Sequence, residues 1–398
     1  MRIAVLVADS LRADSPGFAG GPCLTPTLDR LAAESRVFRR CFSAAPWTVP
    51  SIAAMLTGVF ATRLGLYRWD QPLPQDFPSL FDVAANCGYQ VASFVFDTGF
   101  LFSSMPEAKV VGSSQEADDV IRWIETCPHK NLLVFVHYWG THFPYIDKPM
   151  SASAWAHVST RLIEVMNAEP GTAKEKARAL QSRAIERMSE NFLPRLLGAI
   201  GRHEGPDGSA MVMTADHGES WGEEGGQLRD VFDLHGRHLR DDVLAVPLLV
   251  WAPGKVAPGI VDSIVRTVDL APTIASLMGD DEAFETEGAL GIDGRSLLGE
   301  VEDRVAIAAR SADFLSPGTG TPSGPEELWE ELSLRTRRWK QLWTPGTGEK
   351  KAYALEVEPG ERAPEEGWAR LQREWERARC APPADPVETR LRKLGYLS

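Results

Sequence analysis

Two apolar runs some two hundred residues apart, Ile3 to Ala8 and Ala210 to Ala215, each break off at side chains that bind cations: Asp9 after the first, Asp216 and His217 after the second. Each run has the length of a fully buried strand and is followed by polar or Gly-containing chain, the pattern of a parallel sheet covered on both faces. In such sheets ligands sit beyond the carboxyl ends of the strands, where two strand-ending acids meet across a crevice. A single strand-ending Asp commonly just caps the next turn. Two such ends, one with an adjacent His, point to a divalent cation.

The rest of the chain alternates in the same way. Strands are expected at 3–8, 91–96, 131–137, 210–215 and 244–251, and helices at 26–35, 50–57, 78–87, 115–126, 173–200 and 269–278. This is the signature of an α/β fold with a mostly parallel central sheet. The charged, helical segment 151–200, carrying Lys174, Glu175, Lys176, Arg178 and Arg183, reads as a solvated insertion over the sheet. Beyond residue 300 the character changes. Pro and Gly crowd 316–325, then Trp339 to Thr344 and Ala352 to Val357 flank the turn-forming Pro345-Gly346-Thr347-Gly348 as an antiparallel pair, before a charged helix at 364–379. The expected division is a catalytic α/β domain over 1–300 and a small C-terminal antiparallel subdomain over 301–398.

Charge and cysteines narrow the surroundings. A net charge of −13 disfavours nucleic acid and anionic membranes, which need a basic field. The five cysteines, Cys23, Cys41, Cys87, Cys127 and Cys380, are odd in number and widely spaced, which suits reduced thiols. A strand starting at residue 3 leaves no room for a secretory signal, and no apolar run reaches the ~18 residues of a membrane span. A cytoplasmic location and a small soluble partner are therefore expected.

A nucleophile candidate stands at Pro46-Trp47-Thr48-Val49-Pro50-Ser51. Thr48 falls where a helix begins, with Pro50 in a first-turn position, so its hydroxyl meets the positive end of the helix dipole. By itself this is also the pattern of an ordinary N-cap Thr.

With the flanking motifs added, the chain resembles the sulfatase-type branch of the alkaline phosphatase superfamily. The motifs are Val7-Ala8-Asp9-Ser10-Leu11-Arg12-Ala13-Asp14, Thr25-Pro26-Thr27-Leu28-Asp29-Arg30-Leu31-Ala32, Thr48-Val49-Pro50-Ser51 with Leu56-Thr57-Gly58, and Asp216-His217-Gly218-Glu219. Val268 to Thr273, Asp293 to Leu297, Arg335 to Lys340 and Leu394 to Leu397 are similar to further segments of that family. The resemblance implies an alkaline-phosphatase-like α/β/α sandwich and metal-assisted attack on a phosphorus or sulfur ester. It makes Asp9, Thr48, Asp216 and His217 ligands of one divalent ion, with Thr48 also the nucleophile. It places His142 and His235 on the transferred or leaving group. His137 is expected as a core residue that could join them, and His238 stands in reserve for His235.

Departures from the family pattern shift the expected chemistry. Formylglycine sulfatases need a Cys or Ser followed by x-Pro-Ser-Arg, and this chain has Thr48-Val49-Pro50-Ser51-Ile52. Ser10 stands for the second Asp of the usual pair, His217 for an Asn, and Asp97-Thr98-Gly99 where a Lys-x-His grip is expected. The pattern resembles the Thr-nucleophile members, phosphodiesterases and phosphotransferases with a manganese-type ion. Mn²⁺ is favoured over Mg²⁺, Zn²⁺ and Ca²⁺, since an Asp, Thr, Asp, His set is not the all-oxygen site of Ca²⁺. The expected reaction is hydrolysis or transfer of a phosphodiester or phosphonate monoester. The alternatives are a sulfatase without formylglycine and a non-catalytic binding protein on the same fold. Trp47, Trp69, Trp139 and Trp221 near the site hint at a ring-containing leaving group.

Overall fold

Six of the first eight strands have the apolar sequences that burial on both faces demands. The computed structural model describes residues 1–66, 68, 71–74, 76–95, 101, 110–112, 117–146, 151–168, 170–201, 208–221, 228, 233–284, 291–311, 329–344 and 347–355. The expected helix at 364–379, the Leu394 to Leu397 segment, Cys380, Asp97 to Gly99 and Trp69 lie outside them. The strands are β1 (Arg2–Ala8), β2 (Arg36–Phe42), β3 (Gln90–Phe94), β4 (Val110–Gly112), β5 (Leu132–Tyr138), β6 (Ser209–Thr214), β7 (Ala245–Trp251) and β8 (Gly259–Arg266). They form one sheet in the order β4-β3-β5-β1-β6-β7-β2-β8. Every pairing is parallel except those of β7, which runs antiparallel to both β6 and β2.

β1, β5 and β6 form the apolar centre, with every residue of β1 and β5 buried. Helices Thr48–Thr57, Leu80–Asn86 and Leu270–Met278 pack together as one layer, and Pro26–Ala33, Ala117–Thr126 and Leu193–Gly201 as the other. The sandwich is the expected α/β/α arrangement. Three strands of this sheet are not expected from the sequence: the short edge strand β4, β2 and β8. β2 carries Arg36, Arg39 and Arg40, which break its apolar alternation, and a register shift near Phe38 lets those side chains escape the core. β8 is an edge strand whose first residues are largely exposed, so half of it lacks an apolar signal.

A second sheet is built from β9 (Ala306–Ser311), β10 (Trp329–Arg335), β11 (Trp339–Thr344) and β12 (Glu349–Ala354), all antiparallel, in the order β12-β11-β10-β9. The expected pair corresponds to its β11–β12 hairpin, with the second strand starting at Glu349 rather than Ala352; Pro345, Gly346 and residues 356–357 lie outside the described residues. Its inner residues Ile307, Ala309, Leu332 and Leu334 pack on Ala44, Ala54, Phe60 and Val268 of the larger unit. Arg335 and Lys340 both bind Asp241, at 2.8 and 2.5 Å, so those two family-like residues serve the seam between the sheets.

The segment 151–200 differs from the solvated insertion expected. It comprises helices Ala152–Ala168 and Pro170–Arg187 and a π-turn at Met188–Phe192 that leads into Leu193–Gly201. Glu175, Lys176, Arg178 and Arg183 do face solvent. The opposite face, with Ile163, Met166, Ala177 and Ala184, closes a separate apolar cluster around Phe143, Tyr145, Trp221 and Leu234. Charge marks only one face of an amphipathic helix, which is why the segment looked fully solvated. Among the described residues no helix is long and apolar enough to cross a membrane, and the four described cysteines are free.

Candidate active site

Strand register brings the two acids level. Val7 of β1 lies opposite His137 of β5 on one side and Thr214 of β6 on the other. Two residues further along, on the same faces, come Asp9 and Asp216. Their free oxygens are chosen by the backbone around them. Asp216 Oδ1 accepts the N–H groups of Ser10 (3.1 Å) and His217 (2.9 Å), and Asp9 Oδ1 accepts the Ser10 hydroxyl (2.8 Å). Ser10 does this from a left-handed backbone (φ 58°), a conformation uncommon outside Gly. Oδ2 of each acid is left buried with no hydrogen-bond partner.

His137 lies against those two oxygens. Its Nε2 is 3.0 Å from Asp9 Oδ2 and 3.5 Å from Asp216 Oδ2, yet neither contact has hydrogen-bond alignment and both ring nitrogens are buried without partners. The sequence favoured a core role because one buried His at a strand end has no distinguishing mark; the mark is the two carboxylates that the register sets beside it. Burial pulls the imidazole down, but the Asp216 and Asp9 carboxylates outweigh it and hold it up to about 10. Burial likewise pushes Asp9 up, and His142, His137 and His217 overcome this and keep its carboxyl well below the usual range. Burial and Asp9 push Asp216 up, and His217 and His137 bring it below its ordinary value.

His217 completes the pole. Its Nδ1 is engaged by the Gly218 carbonyl (2.8 Å), and Nε2 lies 3.4 Å from Asp216 Oδ2 and 3.9 Å from Asp9 Oδ1. Fixing Nδ1 as the donor leaves Nε2 as the ligating nitrogen, the usual arrangement behind a metal-binding imidazole. Gly218 is required, since a Cβ there would lie 2.2 Å from the Asp242 carbonyl oxygen. A divalent cation fits this donor set on the structure's own terms: ligand atoms of Asp9, His137 and Asp216 lie within 4.8 Å of one another, with orphaned oxygens that only a cation or a proton can satisfy.

Thr48 faces the same point, its Oγ1 3.4 Å from His217 Nε2. It is not an N-cap. Trp47 holds the cap position without a side-chain bond, Thr48 is the first helical residue, and Pro50 falls in the first turn where no N–H is needed. The helix start is tied to β6 through the Asp216 carbonyl, which accepts both Ser43 and Ser51 hydroxyls at 2.5 Å. Sequence reasoning missed these two serines because nothing in their spacing marks a shared acceptor.

His142 and His235 close the opposite side. Their rings lie 5.1 Å apart, and His235 is 4.7 Å from the His217 ring. His142 Nδ1 is held by the Phe143 carbonyl (2.5 Å), with the Trp139 ring stacked on it at 3.9 Å. Burial lowers His142, and burial with His217 and His142 lowers His235 further. His238 has Arg240, Asp242 and Arg310 as its charged neighbours; burial and Arg240 hold it down at about 4. Of the tryptophans, Trp221 is buried with the Arg12 guanidinium 4.2 Å above its ring, a packing role rather than a substrate platform.

A sandwich with a candidate cation site at its strand ends is the arrangement expected from the resemblance to the alkaline phosphatase superfamily, and comparison with known proteins agrees. The Sulfatase family profile matches residues 3–280, so the chain belongs to the sulfatase family, whose members hydrolyse or transfer at ester bonds. It is 24% identical over 386 residues to an ulvan-active sulfatase of Formosa agariphila, spanning 85% of this chain and 71% of that protein. A Bacteroides thetaiotaomicron structure from glycosaminoglycan metabolism, BT33494S-sulf, superposes with a TM-score of 0.70 at 16% identity over 98% of both chains. The phosphonate monoester hydrolase of Agrobacterium radiobacter gives 0.65 at 18% identity, covering 99% of this chain and 90% of that one.

Proposed function

We propose that this enzyme is a metal-dependent hydrolase or transferase of phosphate esters, phosphodiesters or phosphonate monoesters, working through a phospho-Thr48 intermediate. The observation that carries the reading is Thr48 itself, a hydroxyl at the first turn of a helix and 3.4 Å from His217 Nε2. Threonine cannot become formylglycine. A formylglycine hydrate expels sulfate from a hemiacetal, whereas a plain alkoxide leaves a covalent ester that water or an acceptor alcohol must cleave, a step well suited to phosphorus.

Asp9, Thr48, Asp216 and His217, joined by His137, would hold one divalent ion, Mn²⁺ in first place and Zn²⁺ its competitor, given two imidazoles beside two carboxylates. When bound, that ion supplies Lewis acidity that eases deprotonation of Thr48 and withdraws charge from the transferred group. Thr48 Oγ1 attacks in line, and the helix dipole at its own N-terminus favours the anion arriving there. His142 and His235 line the far side; an anionic substrate beside them restores the protonated forms that burial disfavours.

The relation to the ulvan-active sulfatase supports a second reading, cleavage of a small sulfate ester without formylglycine. Metal-loaded protein should be assayed in parallel on p-nitrophenyl phosphodiester, phosphonate monoester and sulfate. Phosphorus esters should be turned over faster, and Thr48→Ala should abolish turnover while leaving metal binding measurable by calorimetry. Near-native turnover by that variant would falsify the nucleophile assignment, and a sulfate preference would establish the second reading.

A further inference from the structure

The insertion reaches the acid pair through one side chain. Gln181, within the helix Pro170–Arg187, is fully buried, and its Nε2 donates to the Ser10 carbonyl (2.9 Å) and to Glu219 Oε2 (3.2 Å). Glu219 is buried too; the Tyr145 hydroxyl donates to the same oxygen (2.7 Å), while its Oε1 lies 3.2 Å from His235 Nδ1. Gln181 Oε1 is buried with no partner. A buried amide with an orphaned acceptor carries a cost that an apolar side chain would not, so packing does not account for glutamine here. Docking of the insertion does not need it either. Glu186, Ser189 and Glu190 accept the N–H groups of Leu24, Leu28 and Thr27 (3.0, 3.3 and 3.1 Å), Arg187 binds the Tyr145 carbonyl (3.0 Å), and the apolar cluster around Phe143 and Trp221 holds the hairpin down.

Every polar group of Ser10 is engaged: its N–H by Asp216 Oδ1 (3.1 Å), its hydroxyl by Asp9 Oδ1 (2.8 Å) and its carbonyl by Gln181. The residue keeps φ 58° in a turn closed by the Leu11 N–H on the Ala8 carbonyl (3.3 Å). A left-handed serine is held only while its surroundings over-determine it. Once relaxed, it would withdraw its N–H from Asp216 and its hydroxyl from Asp9 together. We propose, on the cation-binding reading above, that Gln181 is a positioning residue of the metal site, pinning Ser10 so that Asp9 and Asp216 present their Oδ2 atoms to one divalent ion. The insertion is thereby part of that site, although Gln181 touches neither ion nor substrate. By linkage, an ion that tightens the acids also tightens the helix carrying Gln181.

Calorimetry of Mn²⁺ binding to the chelator-stripped full chain tests this without turnover. Gln181→Met, similar in length but without donors, should weaken Mn²⁺ binding by about 10-fold or more, with the fold retained in circular dichroism. Glu190→Ala, which removes a docking bond on the Thr27 side of the insertion, should leave Mn²⁺ affinity unchanged. Native affinity in Gln181→Met, or equal losses in the two variants, would overturn the proposal. In hydrogen exchange, Mn²⁺ should slow the amides around Gln181 in the native protein and leave them unchanged in Gln181→Met. Absence of that slowing in native protein that binds Mn²⁺ would overturn the proposal even if Gln181→Met failed to fold. A native protein that takes up neither Mn²⁺ nor Zn²⁺ would instead sink the cation-binding reading, and the role of Gln181 with it.

Discussion

Among the described residues, the buried acids Asp269 and the pair Asp9 and Asp216 differ in what their oxygens find. Asp269, fully buried after β8, is saturated. It receives Arg266 through Nη2 (2.8 Å) and Nε (3.3 Å), Arg304 (3.0 Å), and the N–H groups of Arg266 and Arg295 (both 2.9 Å). It ties β8, the helix Leu270–Met278 and the 293–304 segment together. Asp9 and Asp216 are equally buried, yet one oxygen of each has no hydrogen-bond partner and faces a histidine in the same condition. Burial alone does not mark a functional acid. A carboxylate that is buried and left incomplete does, because the missing charge must come from something the chain does not carry.

Removing each acid in turn should produce opposite losses. Asp216→Ala should abolish metal uptake and turnover while leaving the metal-free fold intact, since one of two neighbouring carboxylates is removed; metal analysis and urea unfolding check both halves. Asp269→Ala should do the reverse, keeping metal binding but costing about 3–5 kcal/mol of stability, because the buried Arg266 and the half-buried Arg304 lose their partner.

A smaller effect is expected from pH. His137, ordinarily near 6.5, is held up to about 10 in the absence of metal, so its contribution to stability is full below about pH 6.5 and fades as pH rises through 10. Asp9 and Asp216, held below their ordinary 3.8, contribute above that value and lose it in acid. Thermal unfolding of chelated protein should therefore weaken between pH 6.5 and 10, and added divalent ion should remove that alkaline loss by replacing the His137 proton. A chelated protein with flat stability across that range would remove His137 from the pole. The smallest effect belongs to Ser51→Ala. It deletes one of two hydroxyls on the Asp216 carbonyl and should cost about 1 kcal/mol, with Ser43 still in place.

Much of this site was legible in advance. Asp9, Thr48, Asp216 and His217 lie at the ends of strongly patterned elements, and the fold brings those four together. His142 and His235 were found through motif resemblance, and they too come to the pole. His137 reads as a core residue that could join the site, because nothing near it in sequence differs from an ordinary strand end. Glu219 was visible only as part of Asp216-His217-Gly218-Glu219, since its partners Tyr145, Gln181 and His235 lie up to 74 residues away. β2 and β8 were unread for a related reason: arginines and edge exposure hide a strand whose pairing is settled by its neighbours.

The alternation of strand and helix, and the residues that end the strands, are written in the order of residues, because burial on both faces and helix starts leave local patterns. Tertiary structure alone decided which oxygens stay unpaired, which histidine meets a carboxylate, and that the insertion supplies Gln181 to the site. Those are matters of register and convergence across distant segments, and a hydrogen bond left unmade leaves no trace in the order of residues.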